Sequence, residues 1–423
     1  MFVSTESAPS QHDRVKVGIG FVTGRRHFPE VLKTYVHSWR HSPCFDKARI
    51  SLNLFIAYDT DYAGAGPEVF RRIDEEVLDT VDSVTFIDDA AIEREITSLS
   101  SQGTFGLDEV KAVFGRGYAK RRNVVLYTAL KHRMDYLLFL DDDEYPLAVF
   151  KRKDRVFWTW QDTLRSHLES IDAANITHGH HCGYISPIPF FDLKSDSTRK
   201  AFRRFIKAVS NDIVSWQVIV KRLNQGGIEY AKSRTLSGGR HVVDEVNGLK
   251  FISGSNLGLN LKTFYQDSSL PPFYNPPGGR GEDTFLSACL SDFTVLKVPC
   301  YTFHDGFLRY KGLLHGVLPP RLQPVRPDSS VVVQRFHRAC IGWIRYKPLL
   351  LYITNRHQYQ TQIHRIRDNL HASVPVLSSI LHHDFSDVIE EFEKYHGLVQ
   401  THYRQFMRCQ GIWQRMCSHV VAG

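Results

Sequence analysis

Apolar residues along the first third of the chain follow two different spacings. "VKVGIGFVT" (15–23), "ISLNLFIAYD" (50–59), "SVTFIDD" (83–89) and "DYLLFLDDD" (135–143) are short apolar runs rich in β-branched and aromatic residues, each ending in a polar cluster or turn. Such runs predict buried strands. Between them, "FPEVLKTYVHSWR" (28–40), "PEVFRRIDEEVLDTV" (67–81) and "GYAKRRNVVLYTALKHR" (117–133) repeat their apolar positions at helical intervals. These predict three helices, the first with Pro29 where a helix tolerates proline. Strand and helix in alternation predict an α/β fold with a Rossmann-like, mostly parallel central sheet and helices on both faces.

From 150 to about 250 the pattern loosens into a stretch rich in aromatics and histidines. Order returns with "LKFISGSNLGLNL" (249–261), the loop "PPFYNPPGGRGED" (271–283), a helix "TFLSACLSD" (284–292) and a strand "TVLKVPCYTFHDG" (294–306). After 325 the text is helical and basic. The boundaries that result are a disordered tail (1–14), a main domain (15–325) and a helical C-terminal region (326–423).

Composition narrows the class. Of 423 residues, 42% are hydrophobic and 23% charged, as in ordinary globular proteins. No apolar run approaches the ~20 residues of a membrane-spanning helix. The N-terminus lacks the apolar core of a secretory signal. Seven cysteines without a CxxC pair suggest free thiols in a reducing compartment, so the expected location is cytoplasmic, with the inner face of a membrane as an extension of it. A net charge of +8 favours anionic partners. Its lysines and arginines lack the aromatic interleaving of a nucleic-acid stripe, so no nucleic acid is expected.

Candidate chemistry gathers at the strand ends. Ligands of such sheets bind beyond the carboxyl ends of the strands, where "TGRR" (23–26), "YDTD" (58–61) and "DDDE" (141–144) all fall. If the strand continues, alternation turns Asp141 and Asp143 to one side and Asp142 to the other. Crowded carboxylates raise one another's pKa, and a hard divalent cation relieves the repulsion while keeping positions open for phosphate oxygens. The bland reading is a solvated acidic strand end. "HGHHCG" (178–183) offers His178, His180, His181 and Cys182 as zinc ligands, but adjacent histidines on a strand face opposite ways and no second ligand pair follows. "GIGFVTG" (18–24) approaches a dinucleotide fingerprint, yet its spacing is GxGxxxG and its first glycines lie within the strand.

Taken in order, "VGIGFVTGRR", "FIAYDTD", "AKRRNVVLYTALKHRMDYLLFLDDDE", "GGRGEDTFLSACL" and "YTFHDG" resemble the nucleotide-sugar glycosyltransferases of the GT-A fold. The likeness runs over roughly residues 15–310. It implies a metal-dependent transferase moving a sugar from a UDP- or GDP-sugar to a hydroxyl acceptor, whether glycan, lipid-linked or small molecule. By the family pattern Asp143 and Asp141 ligate Mn²⁺ or Mg²⁺ with His304, and imidazole favours manganese. Thr23, Gly24 and Arg25 line the nucleotide pocket with Asp142, Asp59 meets the base, and Arg122 pairs with the nucleotide or braces the aspartates. Asp283, with Glu282 as second choice, is the general base of an inverting reaction. Arg280 and His181 are candidates for the acceptor or a phosphate, and residues 150–250 form an acceptor-side insertion. Retaining GT-A transferases share the acids and the histidine, a sugar nucleotidyltransferase shares the sheet, and a non-enzymatic scaffold would keep only the fold. The C-terminal region, with tryptophan, tyrosine and arginine among apolar positions, suggests peripheral membrane contact or a homodimer.

Overall fold

The computed structural model describes residues 14–422 except 102, 185–186, 192, 194, 211–214 and 268–269. The expected tail therefore lies outside the described residues, apart from Arg14, whose Nη1 pairs with Asp82 Oδ1 at 2.8 Å.

The chain is mixed α/β. Its strands are β1 Val15–Thr23, β2 Ile50–Tyr58, β3 Ser83–Ile87, β4 Tyr136–Leu140, β5 Glu144–Tyr145, β6 Leu147–Arg152, β7 Arg155–Trp160, β8 Ile176–Tyr184, β9 Ile228–Glu229, β10 His241–Val242, β11 Glu245–Val246, β12 Leu249–Lys250, β13 Leu257–Asn260 and β14 Val295–His304. The main sheet runs β10-β14-β8-β13-β4-β1-β2-β3, with β5 on β14 and β9 on β8. β1, β2, β3 and β4 are parallel to one another. β13 is antiparallel to both β4 and β8, and β14 is parallel to β8. β1, β2, β4, β8 and β14 therefore all end at the same edge. β6 and β7 form a separate hairpin.

Why these runs make central strands is visible in their alternation. Val17, Ile19 and Phe21 of β1, Leu52, Leu54 and Ile56 of β2, and Leu138 and Leu140 of β4 enter one core, which also takes Phe28, Leu32, Tyr35 and Trp39 of the helix Phe28–Arg40. The intervening Val22, Phe55, Ala57, Leu137 and Phe139 enter the other, with Val124, Val125 and Leu130 of the helix Tyr118–Lys131. Each fully buried Leu, Ile or Phe contributes about 1.5–3 kcal/mol, so both faces of these strands hold the sheet in register. Gly20 reflects the same crowding, since a Cβ there would stand 2.9 Å from Val125 Cγ1.

Three expectations are corrected. Residues 67–81 form two short helices, Pro67–Arg71 and Glu75–Leu78, because only Phe70 and Val77 are buried in them, too sparse to hold one continuous face. The stretch 150–250 is not uniformly loose: it holds the helix Thr163–Ile171 and β8, in the middle of the sheet. β4 stops at Leu140, so strand alternation does not govern the aspartates that follow.

The helices Ser330–Thr354, Tyr359–Leu381, Asp387–Gly397 and Val399–Ala422 make up the C-terminal region. Phe406, Ile412, Trp413 and Met416 of the last helix enter the core that contains Leu137 and Phe139. Trp413 Nε1 donates to Leu270 O at 2.6 Å. Among the described residues, no helix is long and apolar enough to cross a membrane.

Candidate active site

After Leu140 the chain turns, and Glu144 returns as β5 to pair with His304 at the end of β14. The turn brings the acids against the ends of β1 and β14. Thr23 Oγ1 donates to Asp142 Oδ2 at 2.6 Å. Arg25 bridges two aspartates, its Nε 3.0 Å from Asp142 Oδ1 and its Nη2 2.6 Å from Asp143 Oδ2. His304 Nε2 lies 3.3 Å from the same Asp143 oxygen, and its Nδ1 lies 2.9 Å from Tyr184 O. Asp142 and Asp143 thus share one cation, contrary to the expected split across the strand. Gly24 packs under Tyr62, whose Cβ would stand 2.5 Å from a Cβ at that position.

The other two acids have separate partners. Asp141 Oδ1 accepts from Arg122 Nη2 at 3.0 Å. Arg122 is buried among Tyr118, Phe139 and Phe273, with its guanidinium carbon 5.0–5.4 Å from the ring centres, and also donates to Gly254 O. Glu144 Oε2 accepts from Ser255 Oγ at 2.9 Å and Thr302 Oγ1 at 2.5 Å, and its Oε1 lies 3.0 Å from His181 Nδ1. His181 therefore faces Glu144 from behind the acids.

Charge follows these contacts. Burial raises the Asp143 carboxyl, but the charges of His304 and Arg25 outweigh it and hold Asp143 below its usual range. Burial lowers His304, and Asp143 reverses this, pushing the imidazole up to about 9. Asp142 is pushed up to about 6 by burial, against the pull of Arg25. Asp141 is raised by burial despite Arg122. Burial also raises Glu144, yet His181 beside it leaves Glu144 below its usual value.

Glu282 and Asp283 open the short helix Glu282–Ser287. Asp283 Oδ1 accepts from Thr284 N at 2.8 Å. Its carboxyl is pushed up to about 6 by burial and by Glu282, with Arg122 opposing. A Cβ at Gly254 would stand 3.3 Å from Arg122 Nη2 and 3.5 Å from Asp283 Cβ, so Arg122 spans from Asp141 towards Asp283. The C-terminal region braces this loop: Arg345 Nη1 donates to Gly278 O at 3.1 Å, and Tyr395 Oη donates to Pro277 O. Exposed Arg280 lies along Gly342 of the helix Ser330–Thr354.

Asp59 lies at the end of β2 and accepts from Asp61 N at 3.0 Å. Its cationic partner is Arg121, 3.3 Å away and also bound to Asp89 and Tyr58 O, rather than Arg122.

Among the described residues, no three His, Cys, Asp or Glu side chains form a metal cage. Asp143 and His304 nonetheless aim at one another across 3.3 Å. Two protein donors suffice for a cation that fills its remaining positions with water and phosphate oxygens. Asp141 does not join them, because its Oδ1 is turned to Arg122. In the histidine run, fully buried His178 has no hydrogen-bond partner on either ring nitrogen, and His180 lies against Tyr301.

Sequence reasoning missed three residues. Arg121 was hidden beside Arg122 in one helix. His27 stands at the N-cap position of the helix Phe28–Arg40 without a side-chain capping bond, its Nε2 buried and unpartnered, and the charges of Arg25 and Asp143 act on it. Arg335, on the helix Ser330–Thr354, sits over Phe307, 5.2 Å from the ring centre, and its charge acts on Asp143. No local pattern announces Arg335, which comes from almost 200 residues downstream.

The chain is thus a mixed α/β protein with a buried ionic network at the common edge of its strands. No family model matches the sequence, and no curated protein matches it. Among solved structures, apo mouse xyloside xylosyltransferase 1 is similar at 14% identity with a TM-score of 0.21, over 46% of this chain and 58% of that one. The match spans less than two thirds of that neighbour, and a likeness so slight says nothing of what this chain does.

Proposed function

We propose that the protein is a GT-A-type glycosyltransferase that moves a sugar from a nucleotide diphosphate sugar to a hydroxyl acceptor with inversion. One observation carries this reading: Arg25, Asp142, Asp143 and His304 join the ends of β1, β4 and β14 through contacts of 2.6–3.3 Å. A guanidinium and an imidazolium beside acids at a strand-end crevice suit a diphosphate and its counter-ion.

Thr23, Gly24 and Arg25 line the nucleotide pocket, and Asp59, steadied by Arg121, meets the base. Asp143 and His304 would hold a divalent ion, Mn²⁺ or Mg²⁺, with His304 giving up its Nε2 proton to bind as the neutral imidazole; the ion when bound would neutralise charge on the departing diphosphate. Arg25 keeps Asp142 and turns its Nη2 from Asp143 to a phosphate oxygen. Asp283 takes the proton of the acceptor hydroxyl as that oxygen attacks the anomeric carbon. The bond from that carbon to the phosphate oxygen breaks, and its electron pair leaves with the nucleoside diphosphate. An Asp283 carboxyl near 6 suits a base at neutral pH, being ionised yet still basic. Arg122 holds Asp141 and restrains the Asp283 side of the crevice.

A thermal-shift panel of UDP- and GDP-sugars with Mn²⁺ tests the reading. One donor should raise the melting temperature and be turned over when acceptors are supplied. No response to any sugar nucleotide would leave a scaffold as the better description.

A further inference from the structure

Two guanidiniums beside the crevice have no ion pair or side-chain hydrogen bond with any described residue. Arg335 is half-buried on the helix Ser330–Thr354 and stacks over Phe307, three residues past His304. Arg280, three residues before Asp283, lies with its Cγ and Cδ 2.8 Å from where a Cβ at Gly342 would stand. Gly342 is two helical turns beyond Arg335, so the two arginines meet the same face of that helix. Each guanidinium carries five N–H donors that must be met somewhere. Burial and the neighbouring charges of Arg25 and Arg280 lower Arg335 below the usual arginine value, with Asp143 opposing. Arg25 already has Asp142 and Asp143 against it, so the repulsion that an entering anion would relieve is that between Arg335 and Arg280.

We propose that Arg335 and Arg280 form an anion-binding pair that takes a phosphate group, so that the helix Ser330–Thr354 of the C-terminal region supplies one substrate-binding residue to the crevice and the loop before Asp283 the other. The proposal rests on the sugar-nucleotide reading for its role, since the phosphate belongs either to the donor diphosphate or to a phosphorylated acceptor. The chemistry is the same in both cases: two planar guanidiniums, each able to bind two oxygens of one phosphate.

Calorimetric titration of the full chain with inorganic pyrophosphate provides the test. Arg335→Ala should weaken binding by about tenfold or more, as expected for losing a charge-assisted hydrogen bond. Arg280→Ala should weaken it less, and Arg335→Lys should recover part of the loss. Arg280 is exposed, so its variant keeps the test open if Arg335→Ala does not fold. Unchanged pyrophosphate binding in Arg280→Ala and in the folded Arg335 variants, or no binding by the wild type, overturns the proposal. Titration with UDP and GDP assigns the phosphate. An equal loss identifies the donor diphosphate, and no loss identifies the acceptor. Arg335-dependent pyrophosphate binding without any nucleoside diphosphate binding would sink the donor reading and leave the anion site standing.

Discussion

His304, ending β14, and His178, on the neighbouring strand β8, are both largely withdrawn from water, but only His304 has an acid against it. Asp143 lies 3.3 Å from His304 Nε2 and pushes that imidazole up to about 9. Burial, helped by Lys297 and nearby histidines, drives His178 well below the usual histidine value with no partner on either nitrogen. His180 follows His178, lowered to about 3 by burial and Lys297. His178 and His180 are therefore neutral and without an acid, whereas His304 facing Asp143 holds its proton; His181 of the same run is set apart from its neighbours by Glu144, 3.0 Å away. What separates them is the company of an acid.

The strongest way to break this comparison is to remove that acid. Asp143→Ala takes from His304 the acid that faces its Nε2, leaving only Tyr184 O on its Nδ1 and the charge of Glu144, and turnover should fall by about 10³-fold or more with the fold retained, the size expected when metal-assisted stabilisation of a leaving group is lost. Steady-state rates beside circular dichroism check this, and undiminished turnover would separate His304 and Asp143 from catalysis. Next in size, Asp283→Asn keeps a side chain of the same shape without a base. Transfer should drop by about 10²–10⁴-fold, with donor affinity close to that of wild type. Weaker donor binding at unchanged transfer would give Asp283 a different role.

In the proposed reaction Asp283 also sets a pH dependence. A base must be ionised to act, so kcat/KM should decline as pH falls through about 6, the value to which burial and Glu282 push it. A flat profile between pH 5 and 7 would mean that another group takes the proton. The smallest effect belongs to the idle side of the comparison. His178→Leu removes a buried ring with no hydrogen bond to lose, so turnover should be unaltered and stability should change by no more than about 1 kcal/mol. A large loss of activity would show that the histidine run has chemistry of its own.

Much of the frame was legible because its signals are local. β1 starts and stops where "VKVGIGFVT" does, and the helix Phe28–Arg40 covers the predicted span, since apolar period and end residues agree over one short stretch. β8 was not legible: "ITHGHHCGY" is polar in letters yet occupies the sheet interior, a placement fixed by pairing with β13 and β14 from far along the chain. The helix Asp89–Ser101 was missed because "DAAIEREITSLSS" buries only Ile92, Ile96 and Leu99. The acid cluster was legible for the same reason as β1, being contiguous. Its partners were legible only in part. Arg25 stands in a conspicuous turn, but Arg335, whose charge acts on Asp143, lies almost 200 residues further along the chain, and the turn at Asp142–Asp143 overrode strand alternation.

The most direct test of the central claim, that the strand-end acids and His304 hold a cation against a diphosphate, is calorimetric titration of UDP and GDP with Mn²⁺ and with a chelator, in wild type and Asp143→Ala. The account predicts binding of one nucleoside diphosphate that needs the metal and disappears in the variant. Binding of equal strength in chelator or in Asp143→Ala, or no binding of either nucleotide by the wild type, would contradict it.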